Sequence, residues 1–271
     1  MTGLISFVGA GPGAPDLITL RGAQRLSQAD LVIWASSLVP EALLEHARAS
    51  ATIMDSAGMT LEDVLAAYED HPSSAIVRLH SGDPSIYGAI QEQIDWCLSS
   101  SRDFEVVPGV SALAGAASSI ARELTLPGVS QSVILTRLAS RTAGSVPTRE
   151  SISTLAASGS TMAVFLSAAH PADLQARLLE PPSAFDAQTP VAIVHRATWP
   201  DERIVLTRLG SLADDLRELG FTTTVLVLVG DFLEADPARS HLYSPAFAHS
   251  FRKRSLPGET EGRPVTGRQR A

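Results

Sequence analysis

The chain has 271 residues, of which 45% are hydrophobic and 18% charged, so it has apolar material for two domains of ordinary size. A formal net charge of −8 argues against general nucleic-acid binding, and a single cysteine, Cys97, excludes an internal disulfide framework and any Cys-rich metal site. No basic leader and no long apolar run is visible, so a cytoplasmic protein without a membrane span is expected.

The apolar run Leu4-Ile5-Ser6-Phe7-Val8 is expected to be a strand, and Gly9-Ala10-Gly11-Pro12-Gly13-Ala14-Pro15-Asp16 follows it. The dinucleotide fingerprint is a poor match. Gly13 comes one residue too early, and Pro12 removes an N–H that a phosphate would need. The next strand, 31–35, runs into Ser36-Ser37, with no carboxylate to hold a ribose hydroxyl. Loop 9–16 therefore reads as a tight strand-to-helix turn or as a ligand-facing loop that does not grip a pyrophosphate. Further strands are expected near 52–54, 75–79 and 104–107, with helices near 17–29, 40–48, 60–70 and 85–98.

Residues 80–93 carry the most information. Run 75–79 has the content of a buried strand, Gly82 breaks it, Asp83 suits a helix N-cap and Pro84 the first helical position. Asp83 then either caps a helix or stands among polar groups at the carboxyl edge of a parallel sheet, where open α/β sheets bind ligands. Cys97, among Ile94, Trp96 and Leu98, reads as packing. After the turn 107–111, the small residues of 112–121 allow a helix to lie close to another backbone.

A second half starts near Thr125, with strands near 131–136, 161–166, 190–195, 203–208 and 223–229 and helices near 148–157, 171–179 and 211–219. Runs 190–195 and 203–208, joined around Trp199-Pro200-Asp201, suggest an antiparallel pair. The expected fold class is α/β: an N-terminal α/β domain over 1–115 with a mostly parallel sheet, a C-terminal α/β domain over 122–232 with a mixed sheet, and an active-site cleft between them. Residues 138–147 read as an exposed mobile loop. Residues 235–271 read as a flexible basic tail: from 239 on it is rich in Ser, Pro and Gly and carries seven Lys and Arg against Glu259 and Glu261.

Three motifs carry a family resemblance: Gly9-Ala-Gly-Pro-Gly with Asp16-Leu-Ile-Thr19 and Arg21-Gly22, then Ser81-Gly82-Asp83-Pro84-Ser85, then Val107-Pro108-Gly109-Val110-Ser111. Over about residues 3–232 the chain resembles the tetrapyrrole (corrin/porphyrin) methyltransferases, which use S-adenosylmethionine. Segments 78–93, Glu123–Pro127, Ser130–Arg137 and Arg196–Val205 are similar to the branch that acts on precorrin-4. The resemblance implies methylation of precorrin-4 at C11 to precorrin-5 in corrin-ring (cobalamin) biosynthesis, a homodimer, and no protein-bound metal. It also implies donor contacts at Pro12, Ser81, Gly82, Asp83, Ile86, Ser111, Ala112, Leu166 and Ala197. One departure is Ala35-Ser36-Ser37-Leu38, where the family usually has a Gly before Ser-Leu.

Methyl transfer from a sulfonium to carbon is an in-line displacement, so alignment of donor and acceptor should supply most of the catalysis. The acceptor carbon is electron-rich, so a general base is optional, and Asp83 is the best carboxylate candidate for a catalytic role. A polycarboxylate acceptor on an acidic protein needs local arginines. The candidates are Arg21, Arg78, Arg122, Arg137 and Arg196. The rival readings are a cobalt-precorrin-4 enzyme, methylation of another ring carbon of a precorrin or uroporphyrinogen, and a non-catalytic nucleotide-binding module. A dehydrogenase would need the acidic ribose partner that is missing after Ala35.

Overall fold

Strands β1 (Ile5–Gly9), β2 (Leu31–Trp34), β3 (Thr52–Asp55), β4 (Ile76–His80) and β5 (Phe104–Val107) form an all-parallel sheet in the order β3-β2-β4-β1-β5. The computed structural model describes residues 3–139, 144, 146–236, 240, 242, 244 and 247–253. β1 and β2 are buried along their whole length, because helices cover both faces of the sheet. Alternate side chains go to opposite faces. Ile5, Phe7, Ile33 and Ile76 meet Val64 and Tyr68 of α2 (Leu61–Asp70) and Cys97 of α3 (Gln91–Ser99). Val8, Val32, Val77 and Leu79 meet Leu26 of α1 (Leu20–Gln28).

The second sheet has β6 (Val133–Arg137), β7 (Thr161–Phe165), β8 (Pro190–His195), β9 (Arg203–Arg208) and β10 (Val225–Val229) in the order β6-β7-β10-β8-β9. Only β6 and β7 are parallel; the other three pairings are antiparallel. One face is covered by α5 (Ile152–Ala156), α6 (Pro171–Leu179) and α7 (Leu212–Leu219). On the other face lies α4 (Ala112–Ser119), whose Leu113 and Ala116 pack with Ala192, Leu226 and Leu228. Helix α4 starts at the edge of the first sheet yet packs on the second, so it connects the two α/β domains. The parallel first sheet and the mixed second sheet agree with expectation.

Helix starts follow local chemistry. Thr19 caps α1, and Thr60 with Asp63 forms a capping box at α2. Two expected helices are corrected. Residues 40–48 hold only a 3-10 segment, Glu41–His46, with no side-chain cap. The helix expected from residue 85 starts at Gln91, because Tyr87 (φ 57°) and Ala89 (φ 49°) are left-handed and break any helical run. Half of the expected mobile loop and most of the tail lie outside the described residues, and the first loop residue, Leu138, is buried rather than exposed. Where the tail is described it is not structureless: Ala248 is buried, and Arg252 donates to the carbonyls of Ser244 (2.9 Å) and Phe247 (3.3 Å). Phe251 stays 76% exposed.

Candidate active site

Three loops meet at the carboxyl edge of the first sheet. Gly82 N–H donates to Gly11 O (2.8 Å), Gly11 N–H donates back to Gly82 O (3.2 Å), and Ala10 N–H donates to His80 O (2.7 Å). A Cβ on Gly9 would stand 2.5 Å from Gly109 Cα, so the first and third loops touch backbone to backbone. The glycines therefore serve loop-to-loop contact. Asp83 does not cap a helix. Its Oδ1 accepts from the Ser85 N–H (2.8 Å) and the Ser85 hydroxyl, and its Oδ2 accepts from the Gly109 N–H (2.9 Å). Burial works to raise its pKa, but the hydrogen bonds from Ser85 and Gly109 outweigh it, and the carboxyl stays below the ordinary aspartate range.

The second half clamps onto the first loop through the turn after β8. Ala14 N–H donates to Thr198 Oγ1 (2.9 Å), and the Trp199 indole donates to Pro12 O (3.0 Å). Glu202 Oε2 accepts from Thr198 N–H and from the Ser119 hydroxyl at the end of α4, both at 2.6 Å. Gly115 of α4 faces Pro12 with no space for a side chain, since a Cβ would lie 2.8 Å from Pro12 Cβ. Leu166 (φ 53°), Arg196 (φ 50°), Thr198 (φ 67°) and Thr224 (φ 54°) are left-handed non-glycine residues at the ends of β7 and β8 and just before β10. Such conformations cost about 1–3 kcal/mol each and gather where surrounding structure enforces them.

These parts enclose one cavity of about 300 Å³. Pro12, Ser81, Gly82, Asp83, Ile86, Ser111 and Ala112 form its wall on the first-sheet side. Leu166 and Ala197 face them from the second half, so all nine residues expected to contact a donor line the same space. The sequence reading missed Leu38, Tyr87, Phe165, Ser167, Ala168, Val194 and the stretch Thr222–Leu226. The last was hidden because β10 is antiparallel to its neighbours. It brings its amino end, not its carboxyl end, to the ligand edge, and a rule about strand carboxyl ends passes over it. At the departure from the family pattern, Ser36 N–H (3.1 Å) and hydroxyl (2.6 Å) both donate to Asp55, which orders the loop that carries Leu38 to the cavity.

The family model of the tetrapyrrole (corrin/porphyrin) methylases matches residues 4–213. The chain belongs to this family. It is 43% identical over 252 residues to a cobalt-precorrin-4 C(11)-methyltransferase of Methanocaldococcus jannaschii, covering 92% of this chain and 96% of the relative. It is 42% identical over 258 residues to a precorrin-4 C(11)-methyltransferase of Pseudomonas aeruginosa, covering 94% and 99%. Among solved structures it is similar to a cobalt-precorrin-4 methyltransferase (TM-score 0.80, 38% identity, 86% of this chain and 96% of that one). It is also similar to a uroporphyrin-III C-methyltransferase of Thermus thermophilus complexed with S-adenosylhomocysteine (TM-score 0.69, 26% identity, 86% and 94%).

In this methylase fold the five candidate arginines are scattered, and none lines the main cavity. Arg78 lies within the first domain, where its Nη1 donates to Ser56 Oγ (3.0 Å) and Ile33 O (3.3 Å). Arg196 pairs with Asp201 and lies over the Trp199 ring at 5.0 Å. Arg21 is exposed on α1, and Arg122 follows α4. Only Arg137, at the end of β6, reaches a groove beside the cavity. Among the described residues no group of three or more His, Cys, Asp and Glu could hold a metal ion, and no helix is long and apolar enough to cross a membrane.

Proposed function

We propose that the chain transfers a methyl group from S-adenosylmethionine to C11 of precorrin-4, giving precorrin-5 in corrin-ring biosynthesis. The observation that carries this reading is the single cavity lined by all nine strand-end residues, in a chain that matches enzymes named for this reaction over nearly their whole length. The cavity fits such a donor. Ile86, Ala112, Leu166 and Ala197 offer apolar wall, while Ser81, Ser111 and Thr222 to Thr224 offer polar groups for a nucleoside and an amino-acid end. When bound, the sulfonium supplies an electrophilic methyl group.

The chain's own residues orient the two reactants and exclude water. Gly82 lets backbone approach the ligand, and Asp83 keeps an anionic carboxylate on the wall of a site for a cationic donor while tying the second loop to the third. No side chain has to take a proton for the carbon–carbon bond to form. Calorimetric titration of S-adenosylmethionine against NAD tests the donor. Mass and NMR analysis of the product made from precorrin-4 tests the reaction, and a product methylated elsewhere than C11 would refute it. A second reading, cobalt-precorrin-4 as acceptor, is favoured by the relative of that name at 43% identity, and the same assay with the cobalt-loaded substrate separates the two. We also assign the protein to the cytoplasm as a homodimer. Leu206, 70% exposed on the edge strand β9, offers apolar surface for a partner copy, and sedimentation at micromolar concentration measures the assembly.

A further inference from the structure

Beside the donor cavity runs a second groove of about 390 Å³, and Tyr87 lines both. Tyr87 holds a left-handed backbone (φ 57°), and its ring packs on Phe165 across the two halves at 5.3 Å. The ring pair is thus a partition between the two spaces. Their charges differ. Among the described residues, the donor cavity is lined by one charged side chain, Asp83, and by no cation. The groove is lined by Arg137 and Glu150. Both act on the Tyr87 phenol: burial raises its pKa, Arg137 lowers it and Glu150 raises it, which puts all three side chains in one neighbourhood.

We infer that the groove between Tyr87 and Arg137 is a subsite for a side-chain carboxylate of the acceptor, separate from the donor cavity, with Tyr87 as the wall between them. The inference rests on the proposed reading that the acceptor is a polycarboxylate tetrapyrrole. Such a ligand finds no cation in the donor cavity, and a guanidinium presents the fork that matches a carboxylate. Glu150 stands in the same groove and opposes an anion there, so the two residues give opposite signs to one measurement.

The probe is uroporphyrin III, a stable tetrapyrrole polycarboxylate, titrated by fluorescence against the wild type, Arg137→Gln and Glu150→Gln. S-adenosylmethionine is titrated in parallel by calorimetry to report an intact fold and donor site. Arg137→Gln should weaken uroporphyrin binding about tenfold or more, and Glu150→Gln should tighten it, while donor affinity stays within about twofold. The subsite is overturned if the wild type does not bind the probe, if Arg137→Gln leaves its affinity unchanged, or if both variants shift it the same way. If the probe binds in this Arg137-dependent manner but neither precorrin-4 nor its cobalt form is methylated, the reaction is wrong and the subsite stands. If precorrin-4 is methylated with an unchanged KM in Arg137→Gln, the subsite is wrong and the reaction stands.

Discussion

Gly82 and Gly109 lie in adjoining loops but would fail differently. At Gly82 an added Cβ has space, with the nearest atom 3.4 Å away, yet φ is +63°. Gly82→Ala should cost about 1 kcal/mol of stability from backbone strain alone. At Gly109 a Cβ would run into Gly82 O and lie 2.7 Å from Gly9 Cα. Gly109→Ala should cost more, roughly 1–3 kcal/mol from overpacking, and should spread the loops enough to weaken S-adenosylmethionine binding at least tenfold. Urea denaturation and calorimetry on the two variants rank these effects, and equal losses would contradict the loop contact. The end of β4 carries a pH effect. His80 is buried with its Nε2 unpartnered, and burial, helped by Arg78, pushes its pKa down to about 3. The native state therefore holds His80 neutral while the unfolded chain protonates near 6.5, so stability falls as pH drops below about 6.5 and is flat above it. The contribution approaches 1.4 kcal/mol per pH unit, and His80→Leu should remove that part of the slope in denaturation series at pH 7 and pH 5.

Helix α4 and the turn after β8 are held together by one carboxylate. Glu202 accepts from Thr198 N–H and from the Ser119 hydroxyl, and the same turn places Trp199 on the first loop. Glu202→Ala leaves two donors unpaired and should cost about 1–3 kcal/mol. It should also weaken the donor several-fold, although Glu202 does not line the cavity, because Pro12, Ala112 and Ala197 lose their common register. Wild-type donor affinity in this variant would show that the turn acts only on stability. The second loop shows how far local signals reach. Gly82-Asp83-Pro84 has the composition of a helix start, and propensity places a helix there. Asp83 instead spends an oxygen on Gly109, 26 residues away, and the helix waits until Gln91. No local pattern contains that partner.

At the scale of the molecule, the cavity has walls from both sheets, so a donor bound in it would bridge the two halves. Saturating S-adenosylmethionine should raise the melting temperature in one cooperative transition, with about 2.7 kcal/mol of added stability at a hundredfold excess over Kd. NAD should leave the transition in place. Two separate transitions, of which the ligand moves only one, would show that a single half holds the donor.

Sequence periodicity determined the two α/β halves and the parallel and mixed sheets, because strand period and turn chemistry are local, while the family resemblance supplied the nine residues that line one cavity. The family motifs pointed to the sheet edge that borders the cavity, where Gly9, Gly82 and Gly109 bring three loops into backbone contact. Tertiary structure alone decided the rest. It sent α4 to the second sheet, brought the amino end of an antiparallel strand to the ligand edge, placed Tyr87 between two spaces, and separated Arg137 from the other arginines. Those outcomes depend on which distant side chains share a surface, and charge or residue type along the chain does not encode that distance.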